Sequence, residues 1–225
     1  FNATLYPKLP FDTVNDFATI ALVGHTPNVL IVNPNVAAKS VKEFVALAKA
    51  KPKGINYGTG GVGSSAHLAV ELFQRLAGVQ LQHVPYKGAG PALTDTIGGQ
   101  IQSMIATMPA AASHVRGNRV RPLGVSGVKR SPAFPDVPTI AEAGVPGYDY
   151  STWYGLLGPR ALPANMVRYI AATANTVISQ KDMRDRLAQT GLEVELAAPE
   201  QFAEMLKSDV ARWGKIIREA GIRAE

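Results

Sequence analysis

The sequence contains no cysteine among its 225 residues, which excludes disulfides, thiolate metal sites and a cysteine nucleophile. It also lacks any apolar run of the roughly 20 residues that a membrane-spanning helix requires. Charged residues are scarce at 18%, whereas apolar residues reach 46%, enough for a substantial buried core. These absences indicate a globular chain that forms one large domain or two small ones without covalent cross-links.

The net charge of +6 favours an anionic partner, but the arrangement of the charges argues against nucleic acid. Nucleic-acid-binding proteins usually gather Lys and Arg with aromatic residues on one face. Here acidic residues accompany the basic ones, most densely over 181–225, where Asp182 directly follows Lys181. We therefore expect a solvated surface of mixed charge and no nucleic-acid partner.

The middle of the chain alternates strand-like and helix-like segments, which predicts an α/β fold with a substantially parallel sheet. Ser40 and Glu43 have the spacing of a capping box and are expected to begin a helix that ends at Pro52. Thr139 and Glu142 have the same spacing and predict a second, short helix. Strands are predicted at 20–33, 54–57, 80–84, 101–106 and 122–126, and further helices at 66–77 and 91–97.

The two ends of the chain have a different character. Residues 1–20 and 148–163 show little periodicity and are predicted to be irregular. Because irregular segments near 20–34 and 148–160 bracket the middle, we predict two crossings between a first domain at 1–28 plus 156–225 and a second domain at 29–155. Helices are expected at 164–179, 181–189 and 199–220, the last with an apolar face of Phe202, Leu206, Val210, Trp213 and Ile217.

A glycine- and serine-rich loop from Gly58 to Ser65 lies between a predicted strand and a predicted helix. Its first six residues, Gly58–Gly63, fit the pattern G-x-G-x-x-G. Glycine lets backbone N–H groups approach an anion, and the start of the following helix adds partial positive charge. Residues 54–70 contain no Asp, Glu, Lys or Arg, so neutral dipoles would hold the anion. The alternative is that the glycines only let strand and helix pack closely.

The surroundings of this loop favour a small carboxylate over a nucleotide. A dinucleotide site needs an acidic residue about 20 positions later for the ribose, and none occurs between Glu71 and Asp95. A phosphate-binding P-loop needs lysine where Ser64 stands. Lys87 could serve a 2′-phosphate, so a dinucleotide-binding oxidoreductase that uses Gly58–Gly63 stays open as the alternative. We otherwise expect no cofactor.

Few groups in the sequence are suited to catalysis. Ser126 does not lie in a G-x-S-x-G elbow, because the second glycine comes one place too early. Residues 88–115 contain a single charged side chain, Asp95, whereas acid–base catalysis needs titratable groups near the reaction. The histidines lack metal-ligand spacing, and His67 is interpreted as a packed helix residue. We therefore predict a receptor without catalytic or metal-binding residues. The four histidines are His25, His67, His83 and His114.

Several longer motifs occur together in one order from Leu5 to Ile222. Their sequences are LYPKLPFDTVNDFATIALV, INYGTGGVGSSAHLAVELF, HVPYKGAGPALTDTIGGQI, PDVPTIAEAGVPGYDYSTWYGLLGP and a terminal W-x-x-x-I-x-x-A-G-I. This series resembles the tripartite tricarboxylate transporter solute receptors of the Bug (TctC) type, and VPYKG and PDVPTIAEAGVPGY are its most specific parts. The resemblance implies a periplasmic-binding-protein-like fold with two α/β lobes. It also implies a periplasmic receptor that captures a small organic acid for membrane permease subunits.

For the site, the resemblance implies a ligand carboxylate held by loop amides, hydroxyl groups and water, without a salt bridge. The ligand would be a di- or tricarboxylate, an acidic amino acid or an aromatic acid. Trp153 is open to two interpretations, a residue of the ligand cleft or an anchor in the core. The candidate ligand-binding residues are Thr59, Gly60, Gly61, Gly63, Ser64, Ser65, Tyr86, Lys87, Gly88, Thr107 and Trp153.

The sequence departs from the pattern of these receptors in two respects. They usually begin with a strand and a Pro-Gly-Gly loop, whereas Phe1 falls inside the first lobe, so we expect that lobe to be incomplete and a signal segment to have been removed or to lie outside the chain. Gln102 and Thr107 stand where acidic residues are common. Fewer acids near the cleft would suit a more anionic ligand without an amine.

Overall fold

The computed structural model describes residues 2–6, 8–219 and 221–222. Helices and strands alternate through most of these ranges, which confirms the α/β class. None of the helices within them is both long and apolar enough to cross a membrane. In chain order the elements are α1 (Asn2–Leu5), β1 (Phe17–Val32), α2 (Val41–Ala50), β2 (Asn56–Thr59), α3 (Ser65–Ala77), β3 (Gln82–Pro85), α4 (Ala89–Gly98), β4 (Ser103–Thr107), α5 (Met108–Arg116), β5 (Arg121–Val125), β6 (Ser151–Pro159), α6 (Ala164–Ser179), α7 (Lys181–Gln189), β7 (Glu193–Ala197) and α8 (Pro199–Glu219).

The chain divides into two compact units. The first unit combines the described residues up to His25 with those from Trp153 onwards, and the second unit is the continuous segment Thr26–Thr152. The chain therefore passes from one unit to the other twice. The first passage lies within β1 and the second lies within β6.

The sheet of the second unit has the strand order β3-β2-β4-β1-β5. β2 is parallel to β3 and β4, whereas β1 is antiparallel to both β4 and β5. β2, β3, β4 and β5 consequently run in one direction, and the inserted β1 runs against them. The expected parallel arrangement thus holds for four strands, and β1 differs because it enters this sheet from the other unit.

Helices cover this sheet with apolar side chains. One contiguous set joins β1, β4 and the two helices α4 and α5, and includes the fully buried Val29, Ile31, Met104 and Met108. Sequence analysis does not predict α5. Its sequence, MPAAASHVR, buries only small alanines and Val115 besides Met108, so its apolar periodicity is weak.

The first unit contains the beginning of β1, paired antiparallel with β7, and β6 also pairs with β1. The prediction that 148–163 is irregular is wrong, because β6 occupies most of that segment. Its glycines are explained by packing: a Cβ on Gly155 would lie 2.4 Å from the ring of Phe202 on α8. The prediction for 1–20 is also wrong in part, since α1 and the start of β1 lie there.

The helices of the first unit follow the sequence prediction closely. α6 and α7 have the predicted bounds, and α8 ends at Glu219, one residue before the predicted end. The apolar face of α8 is confirmed, because four of the five predicted residues are buried and Val210 is partly buried. The four buried residues are Phe202, Leu206, Trp213 and Ile217.

Candidate functional site at the carboxyl edge of the second unit

The strands that run in one direction end at one edge of the second unit's sheet. Their last residues are Thr59 of β2, Pro85 of β3, Thr107 of β4 and Val125 of β5. Polar and glycine-rich segments follow β2 and β3 directly. In open α/β sheets, ligands bind beyond the carboxyl ends of the strands. This carboxyl edge is therefore the candidate site.

Three helices begin at the carboxyl edge, and their N-terminal residues are Ser64 for α3, Gly88 for α4 and Thr107 for α5. Ser64 caps α3 by accepting the His67 N–H at Oγ, whereas α4 and α5 receive no side-chain cap in the described structure. The first amides of a helix have no intrahelical partner and carry the positive end of its dipole. The edge is thus lined with backbone groups that attract an anion.

The glycine loop and the turn after β3 form one continuous surface. The Tyr86 N–H donates to the Thr59 carbonyl at 3.0 Å, and the Gly88 N–H donates to the Gly60 carbonyl at 3.3 Å. A Cβ on Gly60 would lie 3.2 Å from the Ala89 nitrogen, so glycine permits this close approach to α4. Gly61, with φ +123°, adopts a conformation that other residues rarely adopt.

Two amides of the glycine loop have partners inside the protein. The Gly61 N–H donates to Thr59 Oγ1 at 3.2 Å, and the Gly63 N–H donates to His67 Nδ1 at 3.0 Å. The N–H groups of Val62 and Ser65 have no partner among the described residues. In this conformation the loop therefore presents other amides to an anion than those of Gly61 and Gly63.

Three aromatic rings are stacked directly below the loop. The His67 and His83 centroids lie 4.1 Å apart with an interplanar angle of 11°, and Tyr57 stacks on His83 at 4.9 Å. His83 Nε2 lies 2.6 Å from Thr59 Oγ1, so the stack is joined to the loop through two residues, Thr59 and Gly63. We call Tyr57, His67 and His83 the aromatic stack.

Glu71 on α3 contacts two members of the aromatic stack, Tyr57 and His67. Its Oε1 accepts from the Tyr57 hydroxyl at 2.8 Å and lies 3.6 Å from His67 Nε2. Burial raises the pKa of Glu71, but hydrogen bonds from His67 and Tyr57 outweigh it and leave the pKa lowered. Burial and the neighbouring His67 lower the pKa of His83 to about 4. Near neutral pH the site therefore contains an ionised Glu71 and a neutral His83.

The turn after β3 contributes a rigid tyrosine and an exposed lysine. The Tyr86 hydroxyl donates to Asp95 Oδ2 at 2.7 Å, and burial together with this carboxylate raises the pKa of Tyr86 to about 12. Lys87 is exposed. The carboxylate of Asp95, the one acidic residue of 88–115, thus already accepts a hydrogen bond from Tyr86.

Asn28 lies at the same edge, opposite Thr107 in the pairing of β1 with β4. Its Oδ1 accepts from the Thr152 hydroxyl at 3.2 Å, whereas its buried Nδ2 has no hydrogen-bond partner among the described residues. A buried donor without a partner is unusual and calls for an explanation. Sequence reasoning missed Asn28 because it lies inside an apolar strand, with only the unusual amide as a signal.

Ser126 also lies at this edge, but both hydrogen bonds of its hydroxyl are made with backbone groups. It accepts the Asn28 N–H at 2.6 Å and donates to the Tyr150 carbonyl at 2.5 Å. Both contacts are buried and neither involves a histidine. Ser126 therefore fixes the two segments by which the chain enters and leaves this unit. The described residues contain no group of three side chains placed to hold a metal ion.

The structure brings most of the predicted site residues together at the carboxyl edge. Trp153 is the exception, since it belongs to the first unit, where its Nε1 donates to Asp209 Oδ2 at 2.7 Å and its ring packs edge-on against Phe202. Gln102 lies before β4, at the opposite edge, and accepts the Asn56 N–H. It therefore has no bearing on the charge of the site. The residues gathered at the edge are Thr59, Gly60, Gly61, Gly63, Ser64, Ser65, Tyr86, Lys87, Gly88 and Thr107.

The members of the aromatic stack were interpreted separately or not at all in the sequence. Tyr57 and His83 are aligned neighbours in the parallel pairing of β2 with β3. His67 and Glu71 have the i, i+4 spacing of helix neighbours. Pairing the two predicted strands in register would have placed Tyr57 beside His83, but the approach of His67 depends on how α3 packs.

Comparison with known proteins extends over nearly the whole chain. The family model described as "Tripartite tricarboxylate transporter family receptor" matches residues 2–222. Protein BugT of Bordetella pertussis is 32% identical over 220 residues, which cover 98% of this chain and 68% of BugT. The chain spans about two thirds of the length of the curated relatives that it matches.

Solved structures also match this chain over nearly its whole length. The R. palustris protein Rpa4515, described with adipate, has a TM-score of 0.93 and 32% identity, covering 99% of this chain and 74% of its own. MatC from Rhodopseudomonas palustris, described with bound malate, has a TM-score of 0.88 and 30% identity, covering 96% and 74% respectively. These matches confirm the periplasmic-binding-protein-like fold.

The family consists of solute-binding receptors, among them periplasmic binding proteins, and not of enzymes. The dinucleotide-dependent oxidoreductase considered from the sequence is accordingly set aside. The match over residues 2–222, together with BugT, shows that this chain belongs to the tripartite tricarboxylate transporter family of receptors.

Proposed function

We propose that the chain binds a small organic carboxylate at the carboxyl edge of its second unit, as the solute receptor of a tripartite tricarboxylate transporter. The observation that carries this proposal is the start of three helices at one edge, two of them without a side-chain cap. Unpaired N–H groups and helix dipoles at such an edge favour negative charge.

The donors at this edge are suited to a carboxylate because they are numerous and neutral. Hydrogen bonds to a charged group contribute about 1.5–3 kcal/mol each, so a few amides and hydroxyls suffice without a salt bridge. Residues 54–70 contain no Asp, Glu, Lys or Arg. Asp95, the nearest acid on α4, is bonded to Tyr86. The acidic side chains near the edge, Asp95 and Glu71, are thus both hydrogen-bonded within the protein.

The chemistry of the ligand follows from the relatives and from Thr107. Two similar structures carry adipate and malate in their descriptions, and both ligands are dicarboxylates. Thr107 places a neutral side chain at the start of α5, where an acid would pair with an amine. We propose a di- or tricarboxylate without an amine, ahead of an acidic amino acid or an aromatic acid.

We extend the proposal to the two lobes, the cellular location and the partners of this chain. We propose that the two compact units correspond to the two lobes of such receptors, predicted at 1–28 plus 156–225 and at 29–155, and that the first is incomplete relative to the longer relatives. The periplasm is the proposed location. The membrane permease subunits of the transporter are the proposed partners.

Isothermal titration of the 225-residue chain tests the binding proposal. The panel comprises adipate, malate, citrate, glutamate and benzoate, with adipamide as the uncharged counterpart of adipate and NADH as the nucleotide control. We expect saturable binding of at least one carboxylate and none of adipamide or NADH. A folded chain that binds no carboxylate, or that binds adipamide as well as adipate, would overturn the proposal.

A further inference from the structure

We propose that His67 is a positioning residue that holds the glycine loop in its anion-binding shape, and that it does so only while its ring is neutral. The inference rests on the proposed function of the loop as a carboxylate site. It concerns the Gly63 amide, which the sequence assigns to the ligand but which the structure pairs with His67 Nδ1 at 3.0 Å.

The direction of this hydrogen bond determines the tautomer of His67. A backbone N–H can only donate, so Nδ1 must carry a lone pair, and the proton of the neutral ring lies on Nε2. Nε2 faces Glu71 Oε1 at 3.6 Å. Glu71 is itself held by the Tyr57 hydroxyl and by Gln74 Nε2, at 2.8 and 2.7 Å. The ring is therefore oriented from both of its nitrogens.

The ring has little freedom to turn away from the loop. His67 is only 7% exposed and is stacked on His83 at 4.1 Å. His83 in turn contacts Thr59 Oγ1, which accepts the Gly61 N–H. Each histidine of the aromatic stack thus fixes one glycine of the loop, His67 directly and His83 through Thr59.

A second proton on His67 would remove the acceptor at Nδ1. Two N–H groups would then face each other at 3.0 Å, and Gly63 would have to move. Gly63, with φ +74°, sets the direction of the chain immediately before Ser64, the N-terminal cap of α3. A rotation at Gly63 therefore redirects the hydroxyl of Ser64 and the N–H of Ser65, which are candidate contacts of the ligand.

Titratable groups face the His67 ring from three elements. Glu71 on α3 lies 3.6 Å from Nε2, His83 on β3 stacks against the ring, and Tyr57 on β2 completes the aromatic stack. His83, with its pKa lowered to about 4, stays largely neutral above about pH 5.5. Between about pH 8 and pH 5.5, a loss of affinity that disappears on replacing His67 therefore reports on His67 itself.

Two variants distinguish the role of His67 Nδ1 as a hydrogen-bond acceptor from the effect of protonating the His67 ring. His67→Asn places a side-chain oxygen near the position of Nδ1 and cannot titrate. We expect an affinity within about threefold of the wild type at pH 8 and, over this range, only the pH dependence that protonation of the ligand itself produces. His67→Leu removes the acceptor, and we expect a loss of about 10-fold at pH 8, the effect of one hydrogen bond. His25→Asn, in the first unit, is the matched control and should keep the wild-type pH profile.

A measurement without ligand separates this inference from the proposed function. Long-range proton–nitrogen NMR correlations identify the tautomer of His67, and amide exchange reports on Gly63. We expect an unprotonated Nδ1. We also expect the protection factor of the Gly63 amide, the exchange rate of an unprotected amide at the same pH divided by its own, to fall at least 10-fold in acid in the wild type but not in His67→Asn. If the chain binds no carboxylate but shows this behaviour, the proposed function fails and the inference about the loop stands.

The inference is overturned by either of two results. One is an Nδ1-protonated tautomer of His67 in the folded chain at pH 8. The other is a pH profile of carboxylate affinity that is the same in His67→Asn as in the wild type. Both results are accessible even if His67→Leu fails to fold, because neither uses that variant.

Discussion

Single glycines determine how closely the two turns at the carboxyl edge approach each other. A Cβ on Gly60 would meet the Ala89 nitrogen at 3.2 Å and the Gly88 carbonyl carbon at 3.3 Å. These are backbone atoms at the start of α4, which cannot move aside as a flexible side chain can. A methyl group at this position would therefore spread the turns and cover the first amide of the helix.

Gly60→Ala is expected to weaken carboxylate binding by about 10-fold, equivalent to 1.4 kcal/mol, with little change in the free energy of unfolding. The matched control is Gly98→Ala on α4, because a Cβ there meets no atom within 4 Å. Titration of the best ligand of the panel measures the effect. Equal affinities for the two variants would place the ligand away from the glycine loop.

Asn28 offers a second test at the scale of one residue. Its buried Nδ2 lies at the carboxyl edge without a partner in the part of the chain that the structure describes, so an anion is a suitable acceptor for it. Asn28→Asp replaces this donor by a carboxylate and should reduce carboxylate affinity by at least 10-fold near neutral pH, through lost hydrogen bonding and charge repulsion. Asn35→Asp, beyond the other end of β1, is the control variant. Undiminished binding by Asn28→Asp would exclude Asn28 from the site.

Ser126 is expected to matter for stability and not through any chemistry of its own. Ser126→Ala leaves the buried Asn28 N–H without its acceptor at 2.6 Å, which should lower the free energy of unfolding by about 1–3 kcal/mol. Urea unfolding measures this loss. Ser208→Ala, at an exposed position of α8, should change the free energy of unfolding by less than about 0.5 kcal/mol. Similar effects in both variants would contradict the role given to Ser126.

His83 makes the stability of the second unit depend on pH. Its pKa is about 4 in the folded chain against 6.5 for the free side chain, so the unfolded chain takes up a proton first. This contribution to stability is fully present above pH 6.5 and is lost as the pH falls towards 4. Because His83 is only partly buried, solvent screens this effect, and we expect a loss of about 1–2 kcal/mol that His83→Gln abolishes. Urea unfolding at several pH values would refute this if both proteins lost stability equally.

Among the elements, helices with strong periodicity and clear ends were the best predicted. The bounds of α6 and α7 agree with the sequence prediction, and the Ser40 hydroxyl accepts the Glu43 N–H as a capping box requires. Thr139 and Glu142 also bond reciprocally, both at 3.0 Å, yet only a turn forms there. Gly144 and Pro146 follow too closely for a helix to continue.

The missed strand β6 and the missed contacts of the site have a common cause. The segment that forms β6 has little periodicity and was predicted to be irregular, whereas its Gly155 is required because Phe202 of α8 packs against the strand. The glycine loop was found from its motif, but its bond to His67 arises from the packing of α3 on the sheet. Local patterns predict turns and helix ends, and they cannot predict which distant side chain contacts a backbone.

The packing of Phe202 against β6 can be tested with a compensating pair. Gly155→Ala would place a Cβ 2.4 Å from the Phe202 ring, and such overpacking should destabilise the chain by about 1–3 kcal/mol. Phe202→Leu shortens the facing side chain and should make the added Gly155→Ala substitution less costly. A double-mutant cycle by urea unfolding measures this coupling. Strictly additive effects would contradict the contact.

At the scale of the whole molecule, the two units differ in how the chain builds them. The second unit is one continuous segment, Thr26–Thr152, whereas the first unit needs segments from both ends of the chain. The carboxyl edge and the aromatic stack lie entirely in the second unit. All of the contacts that we assign to the glycine loop are therefore made within one uninterrupted stretch of sequence.

The positions where the chain enters and leaves the second unit have a consequence for protein engineering. Asn28 and Thr152 are joined side chain to side chain at 3.2 Å, and Ser126 bonds to both neighbouring segments. Entry and exit thus lie next to each other, as in a domain inserted into a loop of a host protein. The second unit is therefore suited to transplantation as a module, since a recipient scaffold needs to offer only one pair of adjacent attachment points.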